Sequence, residues 1–163
     1  MFLNTNMAAA GGVVATLFMS LFLTGKMDVT MAINGAIAGL VSITADPLSP
    51  TGGTAVLVGA LGGALVYVSI LFLEKKGIDD PVGAISAHGT VGIYGVLVVS
   101  LTGGADFLGQ LTGVVMIAAF TYIASLGVIY AINFVMPIRA TDEEQDAGLD
   151  ISEVGIEAYP EFD

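Results

Sequence analysis

Apolar residues occur in five long blocks that are separated by short polar or glycine-rich segments. A helix needs roughly 20 apolar residues to cross a hydrocarbon core of about 30 Å. The second block is short for this task and the fifth is long. The pattern predicts an all-α integral membrane protein with five transmembrane helices, at approximately 2–24, 30–45, 54–75, 80–101 and 108–137.

Composition agrees with a bilayer environment. Of the 163 residues, 55% are hydrophobic and only 12% are charged, with a mean hydropathy of +0.89. Soluble domains carry roughly 25% charged residues. Cysteine is absent, so disulfides are excluded. The predicted environment of residues 1–139 is therefore the lipid of the cell membrane.

The basic residues predict how the chain is oriented. If successive helices alternate in direction, all four basic residues lie on the same side, and positively charged loops face the cytoplasm. The loops on the opposite side carry Asp46 and Asp106 but no Lys or Arg. We expect a multi-pass protein with a cytoplasmic C-terminus. The basic residues are Lys26, Lys75, Lys76 and Arg139.

Residues 140–163 form a separate acidic tail. Nine of the fifteen acidic residues lie between Asp142 and Asp163. Such a segment is typical of a solvated terminus. However, Leu149, Ile151 and Ile156 are apolar enough to dock on the cytoplasmic face, so both interpretations stay open.

Glycines recur at spacings that favour close helix packing. In lipid, small residues three or four positions apart allow two helix backbones to approach each other. We interpret these glycines as packing residues. The spacings are Gly35 and Gly39, Gly59 and Gly63, and Gly92 and Gly95.

The fourth block contains the only histidine, His88. Asp79 or Asp80 is expected to cap this helix and Pro81 to occupy its first position, where no N–H is needed. At 1.5 Å per residue His88 then lies about 10 Å along the helix, with Ala84 one turn before it. Ionisable residues at membrane depth often line a pathway, but packing remains the alternative.

Other polar residues also fall inside the apolar blocks. Asn4, Asn34 and Thr44 are each expected to form hydrogen bonds across helices. Thr44, at the end of the second block, ranks next after His88 as a residue of a substrate path.

Several function classes are excluded. A single histidine without clustered carboxylates builds no metal site, and the sequence shows no motif for a cofactor. No nucleophile stands beside a base, so the chain is not expected to be an enzyme. Four basic residues give no reason to expect nucleic acid as a partner.

Three stretches resemble the carboxyl-terminal half of Amt/Rh ammonium transporters. They are "NGAIAGLVSIT", "EKKGIDDPVGAISAHGTVGIYG" and "GLDISEVGIEAYPEF". The resemblance implies helices seven to eleven of an eleven-helix fold, in a homotrimer with one pore per subunit. It also implies transport of ammonium or ammonia, with His88 as the second of two pore histidines.

The same resemblance implies a role for the tail. In the family this segment couples subunits and lies where PII-type signalling proteins can plug the pore. The matching positions are Asp150, Ser152, Gly155 and Tyr159, whereas Val154 stands where the family commonly has a histidine.

About half of the family's pore-lining helices have no counterpart in this sequence. The first pore histidine and the aromatic residues of the outer site belong to helices that this sequence does not match. Two alternatives to transport therefore stay open. One is a non-conducting sensor or anchor that presents its tail to a cytosolic regulator, and the other is a truncated fragment without independent activity.

Overall fold

A computed structural model describes residues 1–157 of the chain. The described part is helical, as predicted. In chain order its elements are α1 (Phe2–Thr24), α2 (Val29–Ile43), α3 (Gly52–Lys75), a π-helical segment (Ile85–Thr90), α4 (Val91–Thr102), α5 (Phe107–Val135), α6 (Asp142–Ala147) and a second π-helical segment (Asp150–Val154).

Four of these elements are long and apolar enough to cross a membrane. They are α1, α3, α5 and the continuous stretch Ile85–Thr102 formed by the first π-helical segment with α4. The fifth apolar helix, α2, has 15 residues. The prediction of a short second helix is thus confirmed.

Glycine contacts join α1, α2 and α3 into one bundle. A Cβ at Gly12 would overlap the carbonyl oxygen of Gly35, and one at Gly59 would overlap that of Ala8. At Gly63 a Cβ would lie 2.5 Å from the oxygen of Gly12. The backbones therefore touch where the sequence spacing predicts close packing, and the pairings make α1 antiparallel to α2 and parallel to α3.

Hydrogen bonds close both ends of this bundle. At one end the Asn4 side chain donates to the carbonyl oxygens of Pro47 and Pro50, at 3.1 and 2.7 Å. At the other end Ser20 Oγ donates to the oxygen of Lys26 and accepts from the N–H of Asp28. Asn4 thus bonds outside its own helix, but to the loop between α2 and α3 rather than to another helix.

The first π-helical segment and α4 pack against α2 and α3. Ala87 and Val91 are buried with Ala38, Val66 and Ile70 in one apolar cluster. A Cβ at Gly95 would lie 2.9 Å from the oxygen of Val41, so α4 also comes close to α2. At Gly92, by contrast, the nearest atom is 3.9 Å away.

The chain divides into two compact units, residues 1–116 and 117–163, and the division falls within α5. In the second unit, α6 begins with a capping box. Thr141 Oγ1 accepts from the N–H of Glu144, and the Glu144 carboxylate accepts from the N–H of Thr141. The hydrogen bonds that this carboxylate accepts from the N–H and the hydroxyl of Thr141 lower the pKa of Glu144.

Candidate functional site

Asp80 fixes the start of the segment that carries His88. Its carboxylate accepts hydrogen bonds from the backbone N–H groups of Ile85 and Ser86, at 2.9 and 3.0 Å. Desolvation raises the pKa of Asp80, but these bonds outweigh it and the net pKa lies below the usual value. Asp80 therefore satisfies two backbone N–H groups at the start of this segment, although the N-cap position itself is Ala84.

The prediction that Pro81 occupies the first position of the helix is wrong. Residues 81–83 form a turn instead, and the π-helical segment begins at Ile85. Gly83 makes this turn possible, because its φ of +70° is strained for residues that carry a Cβ. Asp79 is exposed and contributes none of the cap bonds described for Asp80.

Buried hydroxyl groups hold the inner face of the same segment. Ser69 Oγ on α3 donates to Ser86 Oγ at 3.0 Å and lies 3.0 Å from Thr90 Oγ1. Ser86 and Ala87 are buried, whereas Ala84, Ile85 and His88 are exposed. Stretches of π-helix are rare and are found frequently at functional sites.

His88 lies near the middle of the bundle. Gly83 approaches Asn34, and further along Gly95 approaches Val41, so His88 falls between these two levels of α2. Within residues 1–157 its ring forms no hydrogen bond, and its side chain is exposed. An imidazole at membrane depth is thus presented on the surface of the described helices rather than packed among them.

Ala84 and Thr44 lie at different distances from His88 along the bundle. Ala84 precedes the π-helical segment and is exposed like His88. Thr44 follows the end of α2, beyond the level at which Gly95 approaches Val41, and its hydroxyl donates to Leu40 at 2.6 Å. Its hydrogen bond is therefore local, contrary to prediction, and it is not brought together with His88.

Asn34 also departs from the prediction. Its side-chain amide donates to Thr30, one turn earlier in α2, at 3.2 Å. It is 5% exposed, and among the described residues its Oδ1 has no hydrogen-bond donor. A Cβ at Gly83 would lie 2.6 Å from this oxygen.

Asn34 lines a cavity of about 530 Å³ at the end of the bundle where α1 and α3 finish. Four carboxylates surround it and no Lys or Arg is among its described lining residues. Sequence reasoning did not single out this cavity, because Asn34 and Gly83 are far apart in the chain. The carboxylates belong to Asp28, Glu74, Asp79 and Asp80.

The tail residues singled out by the sequence lie partly in the second π-helical segment. Asp150 and Ser152 belong to it, and Gly155 ends it with a φ of +72°. Tyr159 lies outside the described residues. Among residues 1–157 no group of three or more His, Cys, Asp or Glu side chains could hold a metal ion.

Comparison with known proteins agrees with the sequence resemblance. The sequence profile of the Ammonium Transporter Family matches residues 1–159. Ammonium transporter Amt2 of Archaeoglobus fulgidus is 32% identical over 180 residues, which cover 98% of this chain and 38% of that protein. Ammonium transporter Amt1 of Haloferax mediterranei is 35% identical and is matched over 98% of this chain and 32% of its own length.

A solved structure has the same helical arrangement. A protein described as a sensor Amt protein superposes with a TM-score of 0.78 at 34% identity, covering 93% of this chain and 40% of that one. The chain therefore spans about two fifths or less of the length of these relatives.

Proposed function

Because the chain belongs to the ammonium transporter family, we propose that it forms part of a pore that carries ammonium or ammonia across the membrane. In this proposal His88 lies on the pore wall, with Ala84 on its cytoplasmic side and Thr44 toward the outer end of the path. The rest of the pore wall corresponds to the portion of the relatives that this chain does not match.

The position of His88 carries the proposal. A buried histidine with satisfied hydrogen bonds would indicate packing, but His88 is exposed at mid-bundle depth on a segment held from behind by Asp80 and Ser69. In its neutral form an imidazole has one donor and one acceptor. It can therefore hand a small hydrogen-bonding solute along a narrow apolar path.

Uptake of labelled methylammonium tests the pore. Cells without their own ammonium transporters would express this chain alone, or together with the amino-terminal portion of a relative. We expect uptake from the pair and none from the chain alone, because an incomplete lumen exposes polar groups to lipid. His88→Ala should reduce the uptake by the pair at least about tenfold. A side chain that accepts or donates a proton at a defined position commonly contributes at least that much to a rate.

The matched control is Ile93→Ala, which shortens another exposed side chain of the same helix. It should leave uptake within about twofold. Equal uptake by His88→Ala and the unaltered pair would contradict the proposed role of His88, and uptake by the chain alone would contradict the need for a second portion.

A second candidate function is a membrane sensor. It is supported by the likeness to the solved sensor Amt protein, and would use the tail to bind a PII-type regulator. Deleting residues 140–163 should then abolish binding of the regulator in a pull-down, while His88→Ala should leave that binding intact. Loss of regulator binding only in His88→Ala would contradict the sensor.

We further propose that Lys75 and the tail face the cytoplasm, as the basic loops support. Single cysteines at Lys75 and Thr51 should react with an impermeant reagent from opposite sides of the membrane. Reaction of both from outside would contradict this orientation.

Membership of the family also supports a homotrimer. Mass measurement of the detergent-solubilised pair should then give three copies of each portion, and a monomer would contradict the proposal. The relatives are transporters rather than enzymes, and we propose no enzymatic activity here.

A further inference from the structure

A chain of three hydroxyl groups joins α3 to the first π-helical segment. Ser69 Oγ donates its only proton to Ser86 Oγ at 3.0 Å. It also lies 3.0 Å from Thr90 Oγ1, so Thr90 is the donor in that second bond. Ser86 is fully buried and Ser69 is 9% exposed. One side chain of α3 therefore bonds to two positions of the neighbouring segment.

The two bonded positions flank His88 in the sequence. Ser86 lies two residues before it and Thr90 lies two residues after it. Because two residues make about half a turn of helix, both hydroxyls lie on the opposite face of the segment from His88. Exposure agrees with this arrangement, since Ser86 is buried, Thr90 is half-buried and His88 is exposed. A rotation of the segment that redirected His88 would therefore break at least one bond to Ser69.

The backbone that carries these residues has an unusual hydrogen-bond pattern. The N–H of Val91 donates to the carbonyl oxygen of Ser86, which is five residues earlier rather than the four of an α-helix. Conversion to the regular pattern would shift the helix by one residue, which corresponds to a rotation of about 100°. Burying hydroxyl groups without partners is unfavourable, so the bonds to Ser69 favour the observed rotation.

Other contacts of the segment constrain this rotation less directly. Ala87 and Val91 are buried in an apolar cluster, but apolar burial has no preferred direction. Asp80 bonds to N–H groups at the start of the segment, before His88. The Ser69 hydroxyl, in contrast, bonds on both sides of His88. It therefore constrains the rotation at the level of the imidazole.

We propose that Ser69 is a positioning residue for His88. Its hydroxyl fixes the rotation of the π-helical segment, and this rotation determines the direction in which the imidazole projects. Ser69 acts from behind the segment and contacts no solute in this role. The consequence for transport rests on the proposed function, whereas the rotation is a property of this chain and is measured without transport.

The first test measures the rotation directly. His88 is the only histidine, so the full 163-residue chain labelled with 15N-histidine gives a single backbone amide signal. In aligned bilayers the 1H–15N dipolar coupling of this amide depends on the rotation of its helix about the helix axis. Ser69→Ala should change the coupling, because the segment is released from α3. Thr90→Val removes one of the two bonds and should give a smaller change.

Ser42→Ala is the matched control. Ser42 is a buried serine of α2 whose hydroxyl donates to Gly39 in the same helix, so the amide coupling of His88 should stay unchanged. Circular dichroism shows whether each variant retains its helices. If Ser69→Ala lowers the helical content, the coupling of Thr90→Val decides. An unchanged coupling in the deciding variant, or an equal change in Ser42→Ala, would overturn the proposal.

Uptake of labelled methylammonium by the pair tests the consequence for transport. Ser69→Ala should reduce uptake per folded pair about tenfold or more, because small displacements of a group that contacts the solute are costly. In a His88→Ala background the same change should cause no further loss, since effects that act through one residue are not additive. A further loss there, or uptake equal to that of the unaltered pair, would contradict a positioning role. Absence of uptake by the unaltered pair would instead contradict the proposed function and leave the amide measurement valid.

Discussion

The α1–α2–α3 bundle and the segment Asp80–Thr90 are held in place by different interactions. In the bundle, backbones touch at glycines such as Gly12 and Gly59, and Thr16 bonds only within its own helix. In the segment, Asp80 and the hydroxyl of Ser69 fix the backbone from one side. The bundle is held by direct contact between helix backbones. The segment Asp80–Thr90 instead holds the His88 side chain in place without burying it.

The largest expected effect concerns the bundle. Gly59→Ala adds a Cβ that overlaps the carbonyl oxygen of Ala8, a backbone atom that cannot move aside. The helices must separate, and overpacking of this kind costs about 3 kcal/mol. Unfolding of the chain in detergent, followed by circular dichroism, measures the loss.

Gly53→Ala is the control for this change, since Gly53 lies in the same helix with no atom within 4 Å of an added Cβ. Alanine favours helix by up to about 1 kcal/mol over glycine, so stability should be unchanged or slightly raised. If both variants unfold alike, backbone contact is not what holds the bundle.

A smaller effect is expected at the segment. Asp80→Ala removes an acceptor from two backbone N–H groups, and a hydrogen bond to a charged group contributes about 1.5–3 kcal/mol. Water can bond to the two N–H groups once the carboxylate is removed, so the losses of the two bonds do not add in full. We therefore expect the free energy of unfolding to fall by about 2 kcal/mol. Asp79→Ala should cost much less, because the cap bonds are made by Asp80.

The same interaction predicts a pH dependence. The pKa of Asp80 is lowered in the folded chain from a usual value of 3.8, so its stabilising effect is present above that value. It is lost as the pH falls through the lowered pKa. The difference between the unaltered chain and Asp80→Ala should therefore shrink below about pH 4, and a constant difference would contradict the assigned cap.

This comparison also separates what the sequence predicts from what it does not. Hydropathy places the spanning helices, and glycine spacing identifies Gly59 and Gly63 as contacts, because both signals are local. The start of the fourth helix was misplaced because Gly83 turns beside Asn34, a partner far away in the sequence. The sequence alone singles out His88, because it is the only histidine of the chain. The buried Oδ1 of Asn34 cannot be found in this way, because its surroundings depend on how α2 packs beside Gly83.

The smallest expected effect on stability is at His88. Its side chain is exposed, and its ring forms no hydrogen bond within residues 1–157, so His88→Ala removes little that holds the fold. Substitutions of this kind usually change the free energy of unfolding by no more than about 0.5 kcal/mol. Val91→Ala is the matched comparison, because Val91 lies in α4, directly after the π-helical segment, and is fully buried. Truncating it leaves a cavity and should cost about 1–3 kcal/mol. If His88→Ala proves as destabilising as Val91→Ala under the same unfolding conditions, His88 is a packing residue and the distinction between the two regions fails.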